Sequence, residues 1–241
     1  MSDKGRSEAE SAFLMGDYLA RQGDVESARG AFQSAIAMND PEWSPRAAYH
    51  LGELLWQVDD PAGAEAALWV AIQARHPEWS PAAEVVQGVI CASRQDMAGV
   101  MRAYGAAIAS RHPTHAARAR FNLGTLHQQR GEIELALAAY QGAIEYRHPE
   151  IGPRAAVNLG FVLFTELGQV EQAEAAFQVA INGSDPEQAQ LGRQNLAAMR
   201  QLAADRRRGL RHDGVEEPKD LSVGRGRGSQ RWTAWVRRDR S

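Results

Sequence analysis

The sequence predicts an all-α protein built from tandem helix pairs, on the strength of its period and its composition. Five prolines carry the period: Pro41, Pro77, Pro113 and Pro149 stand 36 residues apart, and Pro186 follows after 37. A period of this size is typical of repeat proteins, in which each unit is one supersecondary element. Alanine is abundant and only 7% of the residues are aromatic, which favours closely packed helices over a sheet.

The second helix of each unit is marked by an apolar stripe. In one copy Ala64, Leu68, Ala71 and Ile72 stand at i, i+4, i+7 and i+8, the spacing of one face of an amphipathic helix. The other copies place small or apolar residues in the same columns: Ala28, Phe32, Ala35 and Ile36; Val100, Tyr104, Ala107 and Ile108; Ala136, Tyr140, Ala143 and Ile144; Ala173, Phe177, Ala180 and Ile181.

The first helix of each unit precedes this stripe and ends at a breaker such as Gly23, 59–61, Gly131 or Gly168. One column inside it holds only glycine: Gly16, Gly52, Gly88, Gly124 and Gly160. Glycine inside a helix costs roughly 1 kcal/mol relative to alanine. Because every copy accepts this cost, we expect the paired helix to approach closely at that column.

A phrase repeated between the units, DPEWSP at 40–45 and RHPEWSP at 75–81, predicts where one pair ends and the next begins. In the first copy we expect Pro41 to end a helix, Ser44 to be an N-cap and Pro45 to occupy the first helical position. The second copy places the same residue types at Pro77, Ser80 and Pro81.

The repeat unit resembles the tetratricopeptide repeat, here with 36 residues instead of the usual 34 or so. The fourth unit supplies five signature positions of that family, Leu123, Gly124, Ala136, Tyr140 and Ala143. The resemblance covers about residues 9–184. It implies a right-handed α-solenoid, a superhelix of five helix pairs and a C-terminal capping helix.

We expect the following organisation along the chain. The units cover about 9–44, 45–80, 81–116, 117–152 and 153–189, the cap covers 190–208, and residues 1–8 and 209–241 are disordered.

The resemblance further implies that the first helices line a concave groove that binds a protein or peptide partner. The candidate groove residues are Arg46, Tyr49, His50, Glu53, Trp56, Arg118, Phe121, Asn122, Thr125, Arg154, Asn158 and Phe161. Asn122 and Asn158 stand where the family often uses asparagine to hold a ligand's backbone, because an amide both donates and accepts hydrogen bonds. The alternative is that both are consensus residues without a ligand. The family's carboxylate clamp is not expected, because its first lysine position holds Val85 or Tyr49, depending on which units are aligned.

The sequence predicts no enzyme, no cofactor and no metal site. It contains no P-loop and no H-E-x-x-H or G-x-S-x-G motif. His76, His112 and His148 recur every 36 residues, but helix layers are spaced by about 8–10 Å, whereas zinc needs each ligand at about 2 Å. These histidines are therefore interpreted as turn residues. His50 and Glu53 offer only two ligands.

Cysteine content and hydropathy predict a cytoplasmic protein that does not enter the membrane. The single cysteine, Cys91, cannot form an internal disulfide and is expected to be a buried structural thiol. The chain shows no signal peptide and no run of about 18 apolar residues.

The C-terminal segment has a different charge from the rest of the chain. Residues 205–241 carry eleven Lys or Arg and six Asp or Glu, about +5, which leaves about −8 for the remainder of a chain with net charge −3. Candidate functional residues in this tail are Arg225, Arg227, Arg231, Trp232 and Trp235. Arginines neutralise phosphates and tryptophans stack on bases, so contact with nucleic acid is one hypothesis. The other hypotheses are a tail that folds back on the acidic body and inhibits it, and a tail without a function.

The sequence therefore predicts a non-catalytic scaffold that binds a partner segment in its repeat groove. The alternative is a nucleic-acid-associated adaptor that acts through the tail.

Overall fold

A computed structural model of the chain describes residues 3–207, and this range contains eleven α-helices and no strand. The helices are α1 Asp3–Gln22, α2 Val25–Ala37, α3 Trp43–Gln57, α4 Pro61–Gln73, α5 Trp79–Ser93, α6 Met97–Ala109, α7 Pro113–Gln129, α8 Ile133–Glu145, α9 Ile151–Thr165, α10 Val170–Ile181 and α11 Pro186–Arg207. The predicted all-α helix-pair fold is confirmed. Among these helices none is both long and apolar enough to cross a lipid bilayer.

The described residues form two compact bodies, each made of several repeats and each with its own core. We call residues 3–116 the first unit and residues 117–207 the second unit. In the first unit, α1 packs on α2, α3 on α4, and α5 on α6, while α2 and α4 also contact the first helix of the following pair. The first helices α1, α3 and α5 contact one another in sequence. In the second unit α9 contacts α8, α10 and α11, and α10 packs on α11.

The close spacing of the two helices within a pair is set by the glycine column of the first helix. A methyl group at Gly124 would lie 2.6 Å from the ring of Tyr140, and one at Gly52 would lie 2.6 Å from Cγ of Leu68. The large side chain of the second helix therefore fills the space that a Cβ would occupy. This arrangement confirms the close approach expected from the sequence.

The start of α3 differs from the one predicted from the sequence. This helix begins at Trp43, and the backbone N–H groups of Glu42 and Trp43 donate to Oδ1 of Asp40 at 2.9 and 3.0 Å. Ser44 is already inside the helix, where its hydroxyl donates to the carbonyl oxygen of Ala35 at 2.8 Å. The prediction that Ser44 is an N-cap was wrong, because its hydroxyl links α3 to the end of α2 instead.

The next junction repeats this arrangement with a histidine in place of the aspartate. Nδ1 of His76 accepts hydrogen bonds from the backbone N–H groups of Glu78 and Trp79, at 3.1 and 3.3 Å. The hydroxyl of Ser80 donates to the carbonyl oxygen of Ala71 at 2.7 Å. Ser80 is therefore not the N-cap either, and His76 supplies the acceptor that the first turn of α5 needs.

The second helices also end earlier than the prolines predict. α2 ends at Ala37 and α4 at Gln73, and each is followed by a residue with left-handed backbone, Asn39 at φ 52° and Arg75 at φ 53°. Pro41 and Pro77 lie two residues further on. The left-handed residue, not the proline, ends the helix.

The ends of the repeat domain differ modestly from the expectation. α1 begins at Asp3, within the range 1–8 that was expected to be disordered, and α11 begins at Pro186 rather than at 190. The tail 209–241 lies outside the described residues. The candidate residues there, Arg225, Arg227, Arg231, Trp232 and Trp235, are therefore not placed by the structure.

Candidate functional site

The structure brings part of the predicted groove set together in the first unit, around the guanidinium of Arg46. Its Cζ lies 4.5 Å from the ring centroid of Phe13, 5.1 Å from that of Trp43 and 5.2 Å from that of Trp79. Arginine on aromatic faces is held by cation–π attraction and by stacking. We call Arg46 and these three rings, with His50, the arginine–aromatic cluster.

His50 extends this cluster one turn further along α3. Its ring centroid lies 5.3 Å from that of Phe13, 5.6 Å from that of Trp79 and 5.1 Å from that of Tyr49. The carboxylate of Glu53 approaches Nδ1 of His50 at 3.8 Å. Four predicted residues of α3 are thus neighbours, and Trp56, the fifth, is partly buried against the core that contains Phe13 and Tyr49.

In the second unit the predicted residues meet at the hydroxyl of Tyr140, a residue of α8. This hydroxyl donates to Oε1 of Gln128 at 2.7 Å, contacts Oγ1 of Thr125 at 3.3 Å and accepts from Nδ2 of Asn158 at 3.4 Å. Burial raises the pKa of Tyr140 to about 12, so the hydroxyl keeps its proton. We call Tyr140, Gln128, Thr125 and Asn158 the tyrosine cluster.

Two further predicted residues border the tyrosine cluster. Cζ of Arg154 lies 5.7 Å from the ring centroid of Phe121, and that ring lies 6.0 Å from the ring of Tyr140. Asn122, the next residue of α7, is 3% exposed, and its Nδ2 finds no acceptor among the described residues. Of the remaining predictions, Arg118 and Phe161 are partly buried.

The four positions of α5 that correspond to Arg46, Tyr49, His50 and Glu53 of α3 hold apolar side chains. Ala82, Val85, Val86 and Val89 are all buried there. Cys91, further along α5, is buried as predicted.

The junction histidines, interpreted from the sequence as turn residues, also contact glutamates of the preceding junction. Nε2 of His76 lies 3.1 Å from Oε2 of Glu42, and Nε2 of His112 lies 2.8 Å from Oε2 of Glu78. Glu78 has a second partner, because its Oε1 lies 3.0 Å from Nε2 of His115. Partial burial acts to raise the pKa of Glu78, but the hydrogen bonds and charges of His115 and His112 outweigh it, and the pKa is lowered.

We did not predict the group of Glu78, His112 and His115 from the sequence, because the histidines were compared only with one another. A signal was present: His115 stands in the column that holds Trp43 and Trp79 in the two earlier copies of the phrase. Glu78 and Glu42 likewise share a column, 36 residues apart.

One carboxyl group of the first unit, that of Glu84, has a raised pKa. Burial raises the pKa of Glu84, in α5, to about 7. Desolvation is the cause, since it disfavours the charged form of a carboxyl group.

Comparison with known proteins gives a family match and a set of similar folds. Residues 13–78, 102–150 and 121–189 match the model of the tetratricopeptide repeat family, and together they span more than half of the chain. A search of curated protein sequences gives no match.

Three solved structures illustrate the likeness of fold. The crystal structure of MamA protein is 20% identical, with 72% of this chain and 90% of that chain covered and a TM-score of 0.54. The Rap conjugation gene regulator of the plasmid pLS20, solved in complex with the Phr* peptide, is 19% identical, with coverage of 92% and 64% and a TM-score of 0.51. BtubC from P. vanneervenii is 16% identical, with coverage of 95% and 100% and a TM-score of 0.53.

Proposed function

Because the chain belongs to the tetratricopeptide repeat family, we propose that it is a non-catalytic interaction scaffold that binds an extended segment of a protein partner along its first helices. The partner class agrees with one similar structure, that of the Rap regulator with a bound peptide. Each unit offers its own proposed contact surface, the arginine–aromatic cluster in the first unit and the tyrosine cluster with Phe121, Asn122 and Arg154 in the second.

The observation that carries the proposal is the position of Arg46 between three rings. Phe13, Trp43 and Trp79 lie within 5.2 Å of its guanidinium carbon and fix the orientation of the group. A guanidinium on ring faces keeps its N–H donors in its own plane, where carbonyl and carboxylate oxygens of a peptide can accept them. A side chain that is already ordered loses less conformational entropy on binding.

Asn122 supports the same proposal in the second unit. Its buried amide nitrogen lacks an acceptor among the described residues, and such a donor costs about 1–3 kcal/mol. A peptide carbonyl would satisfy it if the side chains that cover Asn122, which is 3% exposed, move aside on binding.

A peptide library displayed on phage and selected on the full-length chain tests the proposal. We expect the selected peptides to bind Arg46→Ala and Asn122→Ala at least about tenfold more weakly in fluorescence anisotropy, which corresponds to about 1.4 kcal/mol for one charge-assisted contact. Arg102→Ala, at an exposed position of the second helix α6, is the matched control and should bind like the parent. Peptides that bind all three variants with the parental affinity would contradict the proposed surface.

The adaptor hypothesis stays a separate proposal that rests on the charge of the tail. It predicts that the full-length chain binds fluorescent single-stranded RNA with a strong salt dependence. Replacing Arg225, Arg227 and Arg231 with alanine would then weaken RNA binding without changing peptide binding. Weak RNA binding that these substitutions do not alter would exclude it.

A further inference from the structure

Glu78, His112 and His115 form a compact group of potential metal ligands at the start of α7. Oε2 and Oε1 of Glu78 lie 2.8 and 3.0 Å from the Nε2 atoms of His112 and His115. The ring centroids of the two histidines are 4.5 Å apart. The ligand atoms of the three residues all lie within 4.8 Å of one another.

We propose that Glu78, His112 and His115 bind a divalent transition-metal ion of the zinc class, with a fourth position open to water or to a partner's side chain. The proposal does not depend on the proposed scaffold function.

The donor set favours this class of ion. Two imidazole nitrogens and one carboxylate oxygen suit Zn²⁺, whereas Ca²⁺ and Mg²⁺ prefer oxygen ligands only. Bond lengths of about 2.0–2.2 Å around a tetrahedral ion place its ligands roughly 3.4 Å apart. The two Glu78–imidazole distances, 2.8 and 3.0 Å, are shorter than that value and all three ligand atoms lie within 4.8 Å of one another, so side-chain shifts would admit an ion.

The site is both anchored and reachable. The side chain of His115 is 8% exposed, that of His112 20% and that of Glu78 45%. The two histidines are three residues apart and straddle the N-terminus of α7, while Glu78 immediately precedes α5. An ion there would therefore link the starts of two successive first helices.

The earlier junction of the same unit provides an internal comparison. There His76 meets Glu42 at 3.1 Å, but Trp79 occupies the column of His115, so one imidazole and one carboxylate are available. A single histidine with a single carboxylate lacks the three protein ligands that zinc sites require. The replacement of tryptophan by histidine at 115 is what turns a structural junction into a ligand set.

Binding has a definite consequence for the proton of His112. Its Nδ1 accepts the backbone N–H groups of Thr114 and His115, both at 3.3 Å, so the neutral ring carries its proton on Nε2. A metal at Nε2 requires that proton to move to Nδ1. The ring then gives up two long hydrogen bonds at the helix start, and the metal bond replaces its contact with Glu78.

Isothermal titration of the tag-free, full-length chain with Zn²⁺ tests the proposal, with Mg²⁺ as the negative control. We expect one Zn²⁺ per chain, visible absorption bands of tetrahedral Co²⁺ when that ion is substituted, and a rise in Tm of about 5 °C at a hundredfold excess of Zn²⁺ over Kd.

The variants follow from the repeat itself. His115→Trp restores the residue of the other copies, and His112→Asn keeps a side-chain oxygen for the helix start. Each should weaken Zn²⁺ binding at least about tenfold. Losing a residue that hydrogen-bonds to a metal ligand already weakens binding by that factor, and losing the ligand itself should weaken binding at least as much. His76→Asp, which copies Asp40, is the matched control and should bind Zn²⁺ like the parent. Absence of stoichiometric binding by the parent, or binding that His115→Trp leaves unchanged, would overturn the proposal.

Discussion

The two units use the same columns of the first helix for different chemistry. Arg46 of the first unit and Arg154 of the second stand in one column, where Arg46 lies against the rings of Phe13, Trp43 and Trp79 and Arg154 lies over the ring of Phe121. In the next column His50 packs among aromatic rings, whereas Asn158 donates to the hydroxyl of Tyr140. The repeat thus fixes where side chains meet, and the residue at each column decides whether the surface is aromatic or hydrogen-bonding.

In both units the spacing of paired helices depends on the glycine column, and replacing one of these glycines has the largest expected effect on stability. Gly124→Ala places a methyl against the ring of Tyr140, whose hydroxyl is tied by hydrogen bonds, and should lower the free energy of unfolding by about 3 kcal/mol. Gly52→Ala should cost less, because the side chain of Leu68 can change rotamer.

Urea denaturation measures both losses. Gly105→Ala in α6 is the control, because a Cβ there meets no atom within 4 Å, and it should gain up to about 1 kcal/mol from helix propensity. An equal effect of the alanine at Gly124 and Gly105 would show that the pair spacing does not depend on the glycine column.

The chemistry of the second unit can be removed without disturbing its frame. Tyr140→Phe deletes the hydroxyl that joins Gln128 and Asn158, and should cost about 1–1.5 kcal/mol, since buried partners lose a hydrogen bond. Phe177 fills the same column of the next pair, so the ring alone is compatible with the packing. Thermal unfolding monitored by circular dichroism measures the loss. Tyr146→Phe, in the residue that follows α8, is the control, and a loss as large as that of Tyr140→Phe would contradict the role of the hydroxyl cluster.

The first unit contains a pH-dependent weakness at Glu84. Its pKa is about 7 in the folded protein against an ordinary value of 4.5, so the folded state holds the proton more tightly, and stability falls as the pH rises from about 4.5 to 7. Glu84→Gln should remove this loss and gain about 1 kcal/mol at pH 8, a figure reduced for solvent screening of a half-exposed group. The gain should vanish at pH 4 in urea denaturation series. A gain that does not change with pH would mean that ionisation of Glu84 is not its cause.

The smallest expected effect concerns the left-handed residues that follow the second helices, one in each unit. Arg75 and Arg147 have φ of 53° and 52°, a conformation that costs a side-chain-bearing residue energy. Replacing either with glycine should gain about 0.5 kcal/mol, because the relief of strain is partly offset by the entropy of glycine in the unfolded chain. Differential scanning calorimetry should show equal shifts in Tm for both variants. Unequal shifts would indicate that the two junctions differ in strain.

Much of the fold was predictable from the sequence, but the local boundaries and the side-chain groupings were less so. The glycine column and the apolar stripe lie within one unit, so their periodicity predicts both helices and their close approach. The helix starts were misjudged because serine and proline are common at N-termini, whereas the acceptors used here are Asp40 and His76, three residues before each helix.

The sequence by itself determined the repeat and the pairing of helices, because these follow from spacing along one chain segment. Only the tertiary structure decided that Tyr140 gathers Thr125 and Asn158, and that Glu78 meets two histidines. Glu78 and His115 are 37 residues apart, and their contact depends on how one pair stacks on the next. Small rotations between stacked helices decide which side chains touch, and such rotations leave no mark in the period of the sequence.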